Sequence, residues 1–403
     1  MNAVMYGAGN IGRGFIGMLL SQAGYRVTFI DIAEPVVKAL QEENTYPVRY
    51  VSGEGYEDVW VENVTAVNGK DETAAAQAIA GCDIMATAVG ARILPFIVPN
   101  IVAGLRLRWA QNKGPLNIII CENLMDANKV LENLLREQLT QAEQALFTET
   151  VGLVEASIGR MVPVQTEEMK DGHPLRVCVE QYGYLPVDKD GFRGEIPQIP
   201  NMVPVSPFDF YIKRKLYLHN MGHATCAYLG DLLGLTYIYE SIAVPEVALI
   251  VENAMLESAT ALSATYGVSL APILEHVADL LHRFTNQALQ DTCARVGGDP
   301  ARKLSGQDRL IGSGTLVAAS GNIPAYIAVG AAAGLRRLAA ETGISPSLDN
   351  GKDLLLRTSG LTETDTLTGL ILSAYQQILD GCSITQLWRW AENQKAAGRR
   401  NVI

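Results

Sequence analysis

Cysteine is scarce in this sequence and is not clustered. The 403 residues contain six cysteines and no CxxC pair. They are Cys82, Cys121, Cys178, Cys226, Cys293 and Cys382. A disulfide framework and a structural zinc site both need suitably spaced thiols, so we expect neither, and the sequence predicts no metal site. Reduced, buried thiols are typical of a cytoplasmic protein, which is the location we expect.

Basic residues are in deficit. Lys and Arg total 32 against 43 Asp and Glu, which gives a net charge of -11. Nucleic-acid binding needs a positive field, so we expect no nucleic-acid partner. A small anionic substrate stays compatible, because a few clustered cations suffice to bind it. The N-terminus also shows no charged segment followed by an apolar one, so no secretion signal is expected.

One uncharged run, residues 310–335, is long enough to span a bilayer. It contains Gly312, Gly314, Gly321 and Pro324, which would interrupt a spanning helix. We therefore expect a buried turn and a core helix here, and no membrane partner.

The chain is rich in apolar residues, which make up 48% of it. Its length indicates two domains. Strand and helix signals alternate over residues 1–190, which is typical of βαβ units on a parallel sheet. Helical periodicity dominates from Tyr211 onward. The sequence therefore predicts an α/β Rossmann-type dinucleotide-binding domain over residues 1–190. A mainly α-helical substrate and catalytic domain is predicted over residues 191–403.

A glycine-rich motif follows the first predicted strand and opens a helix. It reads Gly7-Ala8-Gly9-Asn10-Ile11-Gly12. Gly7 permits a tight turn, Gly9 lets the backbone approach a pyrophosphate, and Gly12 permits close packing of the helix. The helix N-terminus then offers N–H groups to phosphates. We expect these six residues to bind a dinucleotide.

Asp31 indicates which dinucleotide. It ends the second predicted strand, 19 residues after Gly12. A carboxylate there accepts hydrogen bonds from the adenosine ribose and repels a 2′-phosphate, which favours NAD over NADP. The alternative is a solvated Asp at a strand end. Thr87, at the end of a later strand, is a weaker candidate for flanking the cofactor.

Three polar residues, Lys215, Asn220 and His223, begin the helical region. On an α-helix, steps of five and three residues turn by about 140° and 60°, so the three side chains fall near one face. An amine, a carboxamide and an imidazole could then converge on one substrate carbon. The alternative is the solvated face of an amphipathic helix.

These residues resemble the polyol-specific long-chain dehydrogenase (mannitol dehydrogenase) family, whose signature is K-x4-N-x2-H. The glycine-rich start is similar too, as are two further segments. These are Cys121-Glu-Asn-Leu124, matching C-[DE]-N, and Arg302-Lys-Leu-Ser-x-x-Asp-Arg-Leu-Ile311. The resemblance runs from residue 1 to about residue 340. It implies NAD-dependent oxidation of a polyol phosphate, mannitol 1-phosphate to fructose 6-phosphate, and the reverse.

The resemblance implies a role for each matching residue. Lys215 would be the general base, which requires a lowered pKa, and Lys213 and Arg214 are candidate neighbouring cations. Asn123 and Asn220 would donate hydrogen bonds to the developing alkoxide.

His223 would orient the substrate or the lysine. Hydride would pass to the nicotinamide, so no metal is needed.

One position departs from the family pattern S-x-V-D-R. Gly159 stands where the family usually has Asp, so a substrate preference different from the family's is an alternative. A phosphorylated polyol also needs cations, and Arg302, Lys303 and Arg309 are the candidates, beside Arg160. The alternative is a cluster of structural ion pairs.

Some of these residues also fit other motifs or functions. Tyr211 and Lys215 also spell the Y-x3-K of short-chain dehydrogenases, but the glycine spacing differs. His219 and His223 have helical spacing without the glutamate of a zinc hydrolase. A non-catalytic NAD-binding regulator would lose the polar residues that are present here. A dehydrogenase of an unphosphorylated hexitol or a sugar acid keeps the same chemistry and stays open, as does the oligomeric state.

Overall fold

The computed structural model describes residues 1–400 and contains two compact units. One spans Met1–Asp209 and the other begins at Phe210. The predicted boundary, between residues 190 and 191, lies earlier, because the intervening segment packs into the first unit. Phe192, Ile199 and Met202 belong to that unit's core. Residues 401–403 of the predicted second domain lie outside the described residues.

The first unit is built on a six-stranded parallel sheet with the order β5-β2-β1-β6-β7-β8. Its strands are β1 (Asn2–Tyr6), β2 (Arg26–Asp31), β5 (Val64–Asn68), β6 (Ile84–Thr87), β7 (Leu116–Ile120) and β8 (Val151–Glu155). The order reverses between β1 and β6, which is the switch point where a doubly wound sheet binds its ligand. The predicted α/β Rossmann-type fold is confirmed.

Two smaller sheets complete this unit. One has the order β4-β3-β9 and the other pairs β10 with β11. Their strands are β3 (Thr45–Ser52), β4 (Gly55–Glu62), β9 (Val177–Val179), β10 (Leu185–Asp188) and β11 (Met202–Val205). β9 pairs with β3 and lies outside the main sheet.

The first unit also contains seven α-helices among its described residues. They are α1 (Met18–Gln22), α2 (Glu34–Glu43), α3 (Glu72–Gly81), α4 (Leu94–Ala110), α5 (Ala127–Arg136), α6 (Gln141–Thr150) and α7 (Glu167–Lys170). A π-helical segment, Gly12–Gly17, leads into α1, and a 3-10 turn spans Lys189–Gly191. Gly17 must lack a side chain, because an added Cβ would lie 2.5 Å from Cζ of Phe29 on β2.

The described residues of the second unit form helices and no strand. The helices are α8 (Asp209–Arg214), α9 (Met221–Leu232), α10 (Ile238–Ile242), α11 (Pro245–Tyr266), α12 (Leu270–Phe284), α13 (Cys293–Gly297), α14 (Pro300–Lys303), α15 (Ile311–Ala319), α16 (Ala325–Glu341), α17 (Leu348–Ser359), α18 (Thr366–Leu379) and α19 (Ile384–Arg400). A π-helical segment, Lys215–Asn220, joins α8 to α9, and a 3-10 turn spans Gln287–Leu289. The mainly helical second domain is confirmed.

The uncharged run at residues 310–335 forms α15, a turn and the start of α16, as expected. In the described part of the chain, one helix, α11, is long and apolar enough to cross a membrane, and 56% of its most apolar window is buried inside the protein. Its Val247, Ile250 and Val251 are fully buried. A core helix of this kind passes the same test of length and composition.

Candidate active site

The glycine-rich loop lies at the carboxyl end of β1. Gly7 has φ +100°, a conformation that side chains rarely adopt. A Cβ on Gly12 would lie 2.0 Å from the carbonyl oxygen of Gly7, so the helix can approach the loop only with glycine there. A Cβ on Gly9 would meet no atom within 4 Å. The loop is therefore closed on its inner side and open at Gly9, as a backbone that receives a pyrophosphate requires.

Asp31 closes the loop against β2. Its Oδ2 accepts a 2.6 Å hydrogen bond from the backbone N–H of Ala8, and its Oδ1 accepts one of 2.9 Å from Ala33. Each carboxylate oxygen has two lone pairs, so acceptor capacity remains. Asn10 is exposed where the helix begins, and Ile11 packs against the core.

A buried arginine supports this loop from below, and the sequence analysis missed it. Nε of Arg13 donates to the carbonyl oxygen of Ala8 at 2.7 Å, and another of its nitrogens donates to that of Leu175 at 2.6 Å. The side chain is 7% exposed. In the sequence, Arg13 is visible only as a basic residue within the glycine-rich start of the helix. Hydrophobic periodicity does not show what such a residue contacts.

Thr87 ends β6 beside β1, and its side chain is fully buried. Its hydroxyl oxygen has no hydrogen-bond partner among the described residues. A short turn, residues 88–90, follows it. The backbone N–H groups of Val89 and Gly90 in that turn donate hydrogen bonds of 3.0 Å and 2.7 Å to the buried carboxylate of Glu122, which follows β7. Asn123, the next residue, is exposed.

In the second unit, Lys215 and Asn220 lie on a π-helical segment. Its hydrogen bonds join residues five apart, as between the N–H of Met221 and the carbonyl of Leu216. Residues five apart therefore lie one turn apart on the same face. The α-helical projection, which separated Lys215 from Asn220 by about 140°, is wrong for this step. The K-x4-N spacing is that of a π turn, and such turns are frequent at functional sites.

The pKa of Lys215 is lowered to about 8, first by burial and then by the positive charge of Arg309. The predicted lowering is present, but Arg309 supplies the neighbouring charge in place of Lys213 and Arg214. Those two side chains lie over aromatic rings instead, with Lys213 Nζ 5.2 Å from the centroid of Tyr217.

His223 starts the next α-helical turn. Its ring stacks on Phe284, with centroids 4.9 Å apart and planes 11° from parallel. Its Nε2 lies 3.4 Å from Oδ2 of Asp291. His219 lies beside it, with ring centroids 5.9 Å apart. Burial holds the pKa of His219 well below its usual value, with help from Arg283 and other cations, so this imidazole is neutral.

The three candidate phosphate ligands differ in their surroundings. Arg302 is half-exposed, and its guanidinium pairs with Asp299 at 2.8 Å and Asp308 at 3.3 Å. Arg309 is buried and pairs with Asp308 at 2.7 Å. Lys303 is buried and donates to the carbonyl of Gly298.

Burial, Arg309 and Arg302 lower the pKa of Lys303 to about 8. Arg309 therefore acts electrostatically on both Lys215 and Lys303. These three cations form a basic cluster in the second unit.

Arg160, the further candidate, belongs to the first unit. It donates to the carbonyl oxygens of Gly14 and Tyr182 and lies 4.5 Å over the ring of Phe15. The neighbouring departure, Gly159, also has a structural reason. A Cβ there would lie 2.9 Å from Cε1 of Tyr182, so an Asp requires this ring to shift.

Both units match models of known protein families. The family model described as the mannitol dehydrogenase Rossmann domain matches residues 1–201, and that of the mannitol dehydrogenase C-terminal domain matches residues 207–366. A curated relative from Brevibacillus brevis, mannitol-1-phosphate 5-dehydrogenase, is 39% identical over 335 residues, covering 83% of this chain and 86% of the relative.

Two solved structures share the fold. Mannitol 2-dehydrogenase of Pseudomonas fluorescens, in a ternary complex with NAD and D-mannitol, has a TM-score of 0.76 at 16% identity, covering 96% of this chain and 94% of that one. A substrate-free D-sorbitol dehydrogenase has a TM-score of 0.80 at 14% identity, covering 94% and 93%.

Proposed function

The chain belongs to the mannitol dehydrogenase family, and from this premise we propose that it oxidises mannitol 1-phosphate to fructose 6-phosphate with NAD, and catalyses the reverse reaction. The observation that carries the proposal is Lys215, with its pKa lowered to about 8, beside Arg309 in a basic cluster. A base for the hydroxyl proton and cations for a phosphate are both present there. The name of the curated relative from Brevibacillus brevis supports the same substrate.

The residues of the first unit suit NAD. The open space at Gly9 leaves room for a pyrophosphate, and the helix N-terminus that follows favours its charge. The carboxylate of Asp31, fixed by Ala8 and Ala33, disfavours a 2′-phosphate. Bound NAD supplies the hydride acceptor for the carbinol carbon.

Lys215 takes the hydroxyl proton of the substrate. An amine with a pKa of about 8 is partly deprotonated near neutral pH, whereas an ordinary lysine is not. The desolvation that lowers this pKa is therefore part of the catalytic design.

Asn220, one π turn from Lys215, donates a hydrogen bond to the alkoxide as it forms. We assign the same chemistry to Asn123 from the family motif. His223 orients the substrate with its imidazole. In this proposal, Lys215 accepts the proton and the asparagines stabilise the negative charge of the alkoxide, so the reaction needs no metal ion.

Arg309 and Lys303 bind the substrate phosphate. Both are buried and act on each other electrostatically, so a dianion placed between them would relieve their repulsion. Arg302 already pairs with two carboxylates, so we expect it to contribute less to phosphate binding. An ion-pair cluster without a ligand is the competing explanation, and the carboxylate of Asp308 supports it.

An unphosphorylated hexitol or a sugar acid is the alternative substrate, and Gly159 is the reason to test it. The assay follows NADH absorbance with purified protein and NAD on mannitol 1-phosphate, glucitol 6-phosphate and mannitol, and NADH consumption on fructuronate. We expect the highest kcat/KM with mannitol 1-phosphate. A higher kcat/KM with mannitol or fructuronate would show that the substrate is an unphosphorylated hexitol or a sugar acid. No turnover of any of the four compounds would favour a non-catalytic NAD-binding regulator.

A cytoplasmic location is part of the proposal. The six cysteines are free, and five of them are buried, which suits a reducing compartment.

A further inference from the structure

A buried carboxylate, Asp291, lies beside the imidazole of His223, and the mechanism above gives it no task. Asp291 is 7% exposed, and its Oδ2 lies 3.4 Å from His223 Nε2. That nitrogen is itself buried and has no well-aligned hydrogen bond to any described residue. Such contacts are often long without substrate and shorten in the reacting complex.

The carboxylate is held in place independently of the histidine. Its Oδ1 accepts a 2.7 Å hydrogen bond from Nε of Arg295, which leaves Oδ2 to face the imidazole. The backbone carbonyl of Asp291 accepts a 2.9 Å bond from the N–H of Ile238. Burial opposes the ionisation of Asp291, but His223 and Arg295 outweigh it and lower its pKa. Asp291 is therefore an anion in a fixed position.

The imidazole is constrained in two directions. Stacking on Phe284, at 4.9 Å and 11°, sets the plane of the ring. The position of Asp291 then determines which edge of the ring faces the carboxylate. A ring fixed in this way has one nitrogen committed to the anion and the other available for a substrate.

We propose that Asp291 is a positioning residue that accepts the Nε2–H of His223. It thereby selects, of the two tautomers of the imidazole, the one whose Nδ1 lone pair accepts a hydrogen bond from a substrate hydroxyl. The inference rests on the proposed function for the role of His223. Its physical basis is general, because the bond made by one imidazole nitrogen decides which proton the other carries. Asp291 acts through His223 and needs no contact with the substrate.

The competing explanation is that Asp291 serves only to hold Arg295 and the start of α13. Selective ¹⁵N labelling of the five histidines, with NMR detection of the tautomer of His223, separates the two. We expect the Nε2–H tautomer in the wild type and a mixture in Asp291→Asn. An Nδ1–H tautomer in the wild type would overturn the proposal, even if the variant did not fold.

Kinetics give the second arm. Asp291→Asn should lower kcat about tenfold to a hundredfold, because a displaced orienting group costs that much, while the Kd for NADH stays the same. In a His223→Ala background the same substitution should lower kcat by less than about twofold, because the two residues act as one unit. Full additivity of the two losses would overturn the proposal.

The matched control is Asp231→Asn, which breaks another Asp–Arg pair of this unit, 3.0 Å to Arg337. It should leave the tautomer and kcat unchanged. A tautomer shift in this control would show a general disturbance and contradict the assignment to Asp291. The NMR arm needs no substrate, so wild-type inactivity on polyol phosphates would count against the proposed function, and the tautomer would still test the pair.

Discussion

A Cβ added to Gly159 would lie 2.9 Å from Cε1 of Tyr182. The family's usual aspartate is therefore sterically excluded unless this ring moves. Gly159→Asp should lower the free energy of unfolding by about 1–3 kcal/mol, the usual cost of overpacking. Thermal denaturation measures the loss.

The matched control is Gly114→Asp, because a Cβ there meets no atom within 4 Å. Its Tm should stay close to that of the wild type. Adding Tyr182→Ala to Gly159→Asp should recover part of the lost stability. If Gly159→Asp were as stable as the wild type, the ring would not be the reason for the glycine.

Cofactor choice depends on Asp31. We expect kcat/KM to be higher with NAD than with NADP in the wild type, because a carboxylate at this position repels the 2′-phosphate. Asp31→Asn keeps an acceptor for the N–H of Ala8 but loses the charge. It should relax the preference with little change in NAD binding. The shorter side chain of Asp31→Ser also loses the hydrogen bond from Ala8, so this variant should bind NAD more weakly. Equal efficiency of the two cofactors in the wild type would refute this prediction.

Phosphate recognition should separate the basic residues. Arg309→Gln should raise the KM for mannitol 1-phosphate about tenfold to 150-fold, since a charge-assisted hydrogen bond contributes about 1.5–3 kcal/mol. The KM for mannitol should change little. Lys303→Gln should act in the same direction, and Arg302→Gln less. If none of the three changed the KM for the phosphate ester, its binding site would lie elsewhere.

The second unit should become less stable with rising pH through one buried group. Burial raises the pKa of Glu257 from 4.5 to about 7, against the opposing pull of Lys395. The carboxylate contacts Lys395 Nζ at 3.1 Å and the N–H groups of Tyr326 and Ile327 at 3.3 and 3.2 Å. The folded state binds the proton more tightly than the unfolded state. This contribution is therefore complete below pH 4.5 and is lost as the pH rises through 7.

Denaturant titrations at pH 5, 6 and 7 test this in wild type and Glu257→Gln. The free energy of unfolding of the wild type, relative to the variant, should fall across the series. Glu341→Gln, which removes an exposed partner of Arg337, is the control and should show no such trend. A difference that grows with pH would contradict the assignment.

Much of the fold was predictable because its signals are local. The glycine-rich loop, the apolar strands β6 and β7 and the helices α11 and α16 follow from periodicity and turn chemistry. The hairpin of β3 and β4 was missed, although Gly53 stands at its turn. The end of the first unit was placed too early, because pairing of β10 with β11 is a tertiary event that composition does not reveal.

The candidate site was predictable only in part. The spacing of Lys215 and Asn220 was visible, but the π turn that brings them to one face was not, since it depends on packing. Their charged neighbours come from distant positions in the sequence: Arg309 lowers the pKa of Lys215, and Asp291 lies 3.4 Å from His223. A single sequence does not contain such contacts. Glu122 could have been found, because it directly precedes Asn123 in the family motif.

Alkoxide stabilisation makes a separate prediction for Asn220. Asn220→Ala should lower kcat about 10²–10³-fold, because it removes a hydrogen bond that strengthens in the transition state. Steady-state oxidation kinetics measure the loss, and NADH binding serves as the control for folding. A loss confined to KM would instead indicate binding of the ground state.

The pH dependence of polyol oxidation tests the central claim, that Lys215 is the general base. In the wild type, the plot of kcat/KM against pH should have a rising limb with its midpoint near pH 8, where the ammonium group of Lys215 loses its proton. Arg309→Gln should move that limb to higher pH, because a neighbouring positive charge is removed. Lys215→Ala should lose about 10²–10⁴-fold in kcat, abolish the limb and respond to added small amines, while still binding NADH. Near-normal kcat with an unchanged pH profile in Lys215→Ala would contradict the account.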